Sequence, residues 1–206
     1  MSPAAVSTRA GRAWPMGASL TQEGVNFAVF SAQATGMELC LYSEDGRREL
    51  MRLPFRDREG DVWHMEVAGI GAGQLYGLRA QGPYVPDQGL RFNANKLLID
   101  PYARGLAGRL RWSDALMGYK IGSPRGDMSF DTRDSAFAVP KSVVVDGHFD
   151  WKGDRPPAVP LAETVIYEAH VKALTKRHPE IAPALRGSYA ALAEPAMIEH
   201  YRRLGV

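Results

Sequence analysis

The stretch GPYVPDQGLRFNANKLLIDPYA, Gly82 to Ala103, is the most tightly specified part of the 206-residue chain. Pro83, Pro86 and Pro101 fix their own φ and disfavour helix at the residues before them, while Gly82 and Gly89 permit turns that other residues resist. Phe92, Leu97, Leu98 and Ile99 sit between those turns and must cover something, and Asn93 and Asn95 can bond to nearby backbone. A disordered linker would not carry that apolar load, so the stretch is expected to be an ordered loop laid on a core.

Upstream, the chain supplies that core. From Trp14 the segments are short, alternating and bounded by turns, the pattern of an antiparallel sandwich. Val25, Phe27 and Val29 alternate with Asn26, Ala28 and Phe30, and Met37, Leu39 and Leu41 repeat the period. Asp45-Gly46 reads as a tight hairpin turn. Met51, Leu53 and Phe55 mark a third strand. Trp63, Met65 and Val67 mark a fourth after Glu59-Gly60-Asp61, and Tyr76, Leu78 and Ala80 a fifth after the Gly69–Gly73 turn. Strand spacing of about ten residues is what a small Ig-like sandwich shows.

Downstream, from about Gly105 to Pro160, periodicity fades and Gly, Pro, Asp and Arg become frequent. So long an irregular stretch needs a reason in a compact protein, and packing against a larger neighbour would supply one. Asp127, Asp131 and Asp134 have a spacing that invites a cation, but the Gly and terminal Glu of a calcium loop are missing and no metal is assigned. In Thr164–Val171 only Glu168 and His170 interrupt an apolar, aromatic run, as in a strand covered on both faces. Pro195 then opens a helix whose Met197, Ile198, Tyr201 and Leu204 share a face, with Arg202 and Arg203 in the last turn and Gly205 as the stop.

The run Arg91-Phe92-Asn93-Ala94-Asn95-Lys96-Leu97-Leu98-Ile99-Asp100-Pro101-Tyr102-Ala103 resembles the segment after the N-terminal sandwich of isoamylase-type members of the α-amylase superfamily, in particular the glycogen debranching enzymes of the glycogen operon. The resemblance continues through Arg133–Ala136, Pro140–Val144 and Thr164–Val171, and covers the chain from about Trp14 onward. Ala94 and Ala173 depart from the family's Pro and Gly. The resemblance implies a mainly β fold: a flexible tail at 1–13, then an Ig-like sandwich of the family 48 carbohydrate-binding-module type at 14–104. An irregular connecting segment follows at 105–160, and at 161–206 the first β/α unit of an incomplete (β/α)8 barrel, with Val206 standing where the second strand would begin.

The same resemblance implies hydrolysis of α-1,6 branch linkages in glycogen or limit dextrin by the parent enzyme. Retaining hydrolysis needs two carboxyl groups about 5 Å apart, at the C-terminal ends of barrel strands. The family takes them, with a third carboxylate, from its fourth, fifth and seventh strands, so no catalytic residue is assigned here and the 206-residue chain is expected to be inactive alone. Glu168 and His170 would share a face of one strand. Their expected place is the barrel wall of the intact enzyme. The alternative reading is a non-catalytic α-glucan-binding or docking module.

Sugar recognition uses aromatic faces and polar groups around them, because a pyranose has an apolar C–H face and a hydroxylated rim. Trp14, Tyr84, Asn93, Asn95 and Lys96 are the carbohydrate-binding candidates, each weighed against plain packing, while Trp63 alternates in phase with core residues. The expected partners are α-glucans, namely glycogen, limit dextrin and malto-oligosaccharides, and the remainder of the barrel if that is encoded separately. A formal net charge of +2 without a basic block gives no support to nucleic-acid or membrane partners. Cys40 is alone and excludes a disulfide framework, no cofactor is implied, and the absence of a signal-length apolar run points to the cytoplasm.

Overall fold

The computed structural model describes residues 6–206, which divide into a unit ending at His148 and a second unit, Phe149–Val206. The first unit is built from antiparallel strands: β1 (Ser7–Arg9), β2 (Gly17–Leu20), β3 (Gly24–Phe30), β4 (Gly36–Tyr42), β5 (Glu49–Pro54), β6 (Asp57–Glu59), β7 (Val62–Ala68) and β8 (Leu75–Gln81). A two-stranded ribbon follows, β9 (Tyr84–Val85) with β10 (Leu90–Arg91), and then β11 (Leu106–Ala107) and β12 (Lys141–Val143). One sheet runs β1-β7-β3-β2 with β6 also on β7, and the other runs β11-β12-β8-β4-β5.

The two sheets meet through the residues that the alternation singles out. In β3 and β7 the facing pairs Val25–Val67, Phe27–Met65 and Val29–Trp63 are in register, and in β4 and β8 so are Met37–Ala80, Leu39–Leu78 and Leu41–Tyr76. All of these side chains are buried in one cluster, which Phe55 joins just beyond β5. A one-residue slip would turn every one of them outward, so burial itself fixes the pairing. Trp63 is a core residue; its indole N–H donates to the Ser31 carbonyl at 3.1 Å.

The back face of the second sheet is also covered, which the alternation did not reveal. Cys40, Tyr42 and Leu75 pack there against Leu97 and Val139. Gly77 is what lets the loop approach, since a Cβ there would lie 2.7 Å from Leu97 Cδ1. The loop pairs with β8, beyond the short β12, through a reciprocal Leu78–Leu98 backbone pair at 2.8 and 2.9 Å, and Asp100 accepts the Tyr76 hydroxyl at 2.7 Å. The buried Arg79 guanidinium meets both carboxylate oxygens of Asp134 at 2.8 and 2.9 Å, the Ala94 carbonyl at 3.0 Å and Glu49 at 3.3 Å. The stretch Gly82–Ala103 is thus an ordered loop laid on a sheet.

Two boundaries differ from the sequence reading. The tail expected over 1–13 contains β1, paired on β7, with Arg9 bridging Glu23 and Glu66; residues 1–5 of that tail lie outside the described residues. The irregular segment from 105 belongs to the sandwich unit as far as His148: Ala115, Asp131, Ser135, Ala138, Val139, Ser142 and Val144 are all buried, so the neighbour it packs against is the sandwich itself. Its periodicity is absent because turns and side-chain hydrogen bonds, rather than ladders, hold it down.

In the second unit, a short helix α1 (Val171–Thr175) and the helix α2 (Pro195–Leu204) surround a small cluster of Ile181, Ala191 and Met197, flanked by Leu174, Leu185 and Tyr201. Pro195 begins α2 and Gly205, at φ 75°, ends it, as the sequence signals. Ile198 and Leu204 stay partly exposed, so the buried face of α2 is narrower than its apolar spacing. The strand expected over Thr164–Val171 is not paired: Val165 is 91% and Ile166 78% exposed, and Val171 already starts α1. An apolar extended segment needs neighbouring strands to form a ladder, and among the described residues none pairs with it. No helix among the described residues is long and apolar enough to cross a membrane.

Candidate functional site

A groove of about 760 Å³ opens at the end of the sandwich where β3 and β8 finish and β4 begins. That volume lies within the usual 300–1,000 Å³ range of small-ligand sites. Its floor is the end of the core, with Val29, Leu78 and Ala80, and the 54% exposed ring of Phe30 stands at its edge. Leu98 and Ile99 line it as well. Of the four apolar groups expected to cover something, Phe92 and Leu97 pack on the core, against Gly82 and Gly77, and Phe92 also reaches the groove. The remaining wall includes Tyr84, Leu90 and Arg91 of the ribbon, Asn93 and Lys96 of the loop, and the run Leu116–Tyr119.

The structure separates the five sugar-binding candidates, and Asn95, partly buried, stands outside the groove lining. Trp14 is 73% exposed and stands outside the groove lining. Tyr84 lines the groove, but its ring is edge-on to Phe130 at 4.9 Å and its hydroxyl lies 2.8 Å from the Asp127 carbonyl and 2.9 Å from that of Ser129. Burial and the nearby Asp127 carboxylate together hold that hydroxyl's pKa above the ordinary tyrosine value. Asn93 is buried and donates its amide to the carbonyls of Gly118, at 3.1 Å, and Asp131, at 2.8 Å, while its Oδ1 accepts the backbone and side-chain N–H groups of Asn95. Lys96 is buried too, and spends its three donors on the Ala115 and Arg133 carbonyls and Asp131 Oδ1, each at 2.8 Å.

The sugar-contacting role expected of Asn93 and Lys96 therefore gives way to a positioning one, because no donor on either side chain is left for a ligand. What they position is the segment from Ser113 to Asp131, a strap along the groove wall. Asp131 is central to it: hydrogen bonds from Arg133 and then from Lys96 hold its carboxyl well below the usual carboxylate range, although burial acts the other way. The three aspartates with a cation-like spacing are each matched by a base: Asp127 with Arg91, Asp131 with Lys96 and Arg133, and Asp134 with Arg79. Glu168 and His170, the barrel-wall candidates, are exposed on the extended segment, and His170 Nδ1 accepts the Ala173 amide at the start of α1.

Comparison with known proteins fits this architecture to a family. The family described as carbohydrate-binding module 48 (isoamylase N-terminal domain) matches residues 15–103. Residues 15–103 are thus similar to a carbohydrate-binding module 48. The matched range spans β2 to β10 and the loop, while β1, β11, β12 and the strap lie outside it.

Over a longer span the chain is similar to the N-terminal part of glycogen debranching enzymes. It is 50% identical over 95% of its length to that of Serratia proteamaculans and 47% identical over 93% to that of Yersinia pseudotuberculosis. The chain spans 28% of the length of these relatives. Among solved structures, the G680L mutant of PulA from Klebsiella pneumoniae matches with a TM-score of 0.66 at 23% identity, over 93% of this chain and 17% of that one. A pullulanase of Paenibacillus barengoltzii, solved with maltohexaose and α-cyclodextrin, matches with a TM-score of 0.62 at 21% identity, over 94% and 26%. These two likenesses establish the fold.

Among the groove residues that the sequence did not single out as site candidates are Phe30, Leu90, Leu116, Met117 and Tyr119. Phe30 was legible as the outward residue at the end of an alternating strand. Tyr119 had only a faint signal, the apolar run Leu-Met-Gly-Tyr within otherwise polar turns.

Proposed function

We propose that this chain is the N-terminal part of an enzyme that hydrolyses α-1,6 branch linkages of glycogen or limit dextrin. In that enzyme the carbohydrate-binding module would hold an α-glucan chain at the end groove. The observation that carries the reading is the identity of 50% across 95% of the chain with a glycogen debranching enzyme. The groove supports it by combining apolar surface and partly open rings with a polar rim that includes Ser31 and Gln33, the mixture a glucan's C–H faces and hydroxyls require.

On this reading Thr164–Val171 is the first strand of the catalytic barrel and α2 belongs to its first β/α unit. The exposed Val165 and Ile166 would then be covered by sister strands from the portion of the relatives that this chain does not span. The catalytic carboxylates would come from that same portion, and Glu168 and His170 would line the barrel wall. The setting would be cytoplasmic glycogen breakdown.

Reading the coding sequence beyond Val206 and assaying the complete product on limit dextrin tests this directly. Strand–helix repeats with Asp and Glu at strand ends, and release of linear chains, are the expected results. A stop codon followed by unrelated sequence would favour a free-standing glucan-binding module instead. Reducing-end release by the 206-residue chain alone, lost in Glu168→Gln, would overturn the assignment of chemistry to the missing strands.

A further inference from the structure

Resting on the reading of the groove as an α-glucan site, we propose that the strap outside the matched module supplies a wall of that site, with the Tyr119 ring as the face on which a glucosyl unit of a linear malto-oligosaccharide stacks. The matched module ends at residue 103, yet Leu116, Met117, Gly118 and Tyr119 line the groove together with Phe30 and Leu98. A module cut at its matched limit would keep the floor of the groove and lose this wall.

The strap is held at the residue that aims Tyr119. The Gly118 carbonyl accepts both Asn93 Nδ2 at 3.1 Å and the Asp131 amide at 2.9 Å, so the peptide entering Tyr119 is fixed from two sides. Asp131 is in turn fixed by Lys96. Two buried polar side chains thus act on the groove through the tyrosine they position.

The two groove tyrosines also differ in what they have left to offer. Tyr84 has its hydroxyl against strap carbonyls and its ring edge against Phe130. Tyr119 is half-buried, and among the described residues its hydroxyl has no protein hydrogen-bond partner. A tyrosine with an accessible ring and a free hydroxyl matches a sugar that presents a C–H face beside hydroxyls, and holding the strap in advance spares the ligand the cost of ordering it. Trp14 and Trp112 are more exposed than Tyr119, at 73% and 81%, but neither lines the groove, so exposure alone does not make them part of the site.

The test titrates the full 206-residue chain with maltoheptaose, following methyl and aromatic NMR shifts and saturation transfer from sugar to protein. Saturation should reach the Tyr119 ring protons in the unaltered chain. Tyr119→Ala should weaken binding at least tenfold, while Tyr119→Phe, which keeps the ring, and Trp112→Ala, which is outside the groove, should each stay within threefold. Melting curves check that the variants fold, and the saturation measurement on the unaltered chain decides the matter if Tyr119→Ala does not. Full affinity in folded Tyr119→Ala with loss in Phe30→Ala would overturn the strap wall and leave the groove standing. No shift at any groove residue of the unaltered chain would overturn both.

Discussion

Replacing Lys96 by Met removes the ammonium that holds the strap while keeping most of the side chain's volume. In the native protein that ammonium is buried and donates to two carbonyls and to Asp131, all at 2.8 Å. Breaking a buried pair by removing one partner costs about 3–5 kcal/mol when the remaining charge is left alone. Here it is not alone. Asp131 keeps the Arg133 side chain at 2.7 Å and the Arg133 amide at 2.9 Å, so the loss falls mainly on the two carbonyls, at about 1–3 kcal/mol for each buried group left unsatisfied. Together these put the cost near 3 kcal/mol, which corresponds to about a hundredfold change in a local opening equilibrium. Native-state hydrogen exchange on the full chain reads it out. The Asp131 amide, bonded to the Gly118 carbonyl, should exchange roughly a hundred times faster in Lys96→Met, whereas amides of β3 and β7 should change far less. An acceleration below about threefold at Asp131 would show that the ammonium does not hold the strap, and the argument for a positioned wall would fail with it.

Gly77→Ala should destabilise the sandwich by about 1–3 kcal/mol, measured by urea denaturation, because the new methyl would overlap the buried Leu97 side chain; an unchanged midpoint would mean the loop sits less tightly on β8 than described. Cys40 should resist alkylation at pH 8 in the native chain and react promptly in urea, since burial, helped by the nearby Glu49, pushes its thiol up to about 11; rapid labelling without denaturant would contradict that burial. The strap should loosen in acid. Asp131 has a folded pKa below its unfolded one, so its contribution is complete above the unfolded value of about 4 and is lost as pH falls through the lower folded value. Exchange or proteolysis within 115–133 that is insensitive to pH between about 5 and 2 would refute this.

The sandwich was legible because alternation in β3, β4, β7 and β8 has one physical meaning: side chains of one parity must leave water together. The second covered face of β4 and β8 was harder to read. Cys40, Tyr42 and Leu75 are apolar at the other parity, but Gly77 and Arg79 share it, and nothing local says that Arg79 is buried on a carboxylate 55 residues away. The same limit explains the site. Asn93 and Lys96 are conspicuous in the sequence because of their chemistry, yet their partners lie 19 to 38 residues downstream, in a segment without periodicity. Tyr119, which lines the groove, sits in that same segment. Thr164–Val171 shows the converse: its composition suits a strand, but a strand requires partners, and those are not among the described residues.

Mapping maltoheptaose onto the full chain by NMR is the most direct test of the central claim, that the end groove of the module is an α-glucan site. A shallow site with one or two open rings should bind with a dissociation constant of about 1 mM, roughly −4 kcal/mol, because ordering a flexible, well-hydrated oligosaccharide offsets much of the stacking gain. The saturable shifts should cluster on Phe30, Leu90, Leu98 and Tyr119, and should be absent from Trp112 and from the second unit. Saturable shifts centred on Trp14 or Trp112 with a silent groove, or no saturable shift at millimolar sugar, would contradict the account.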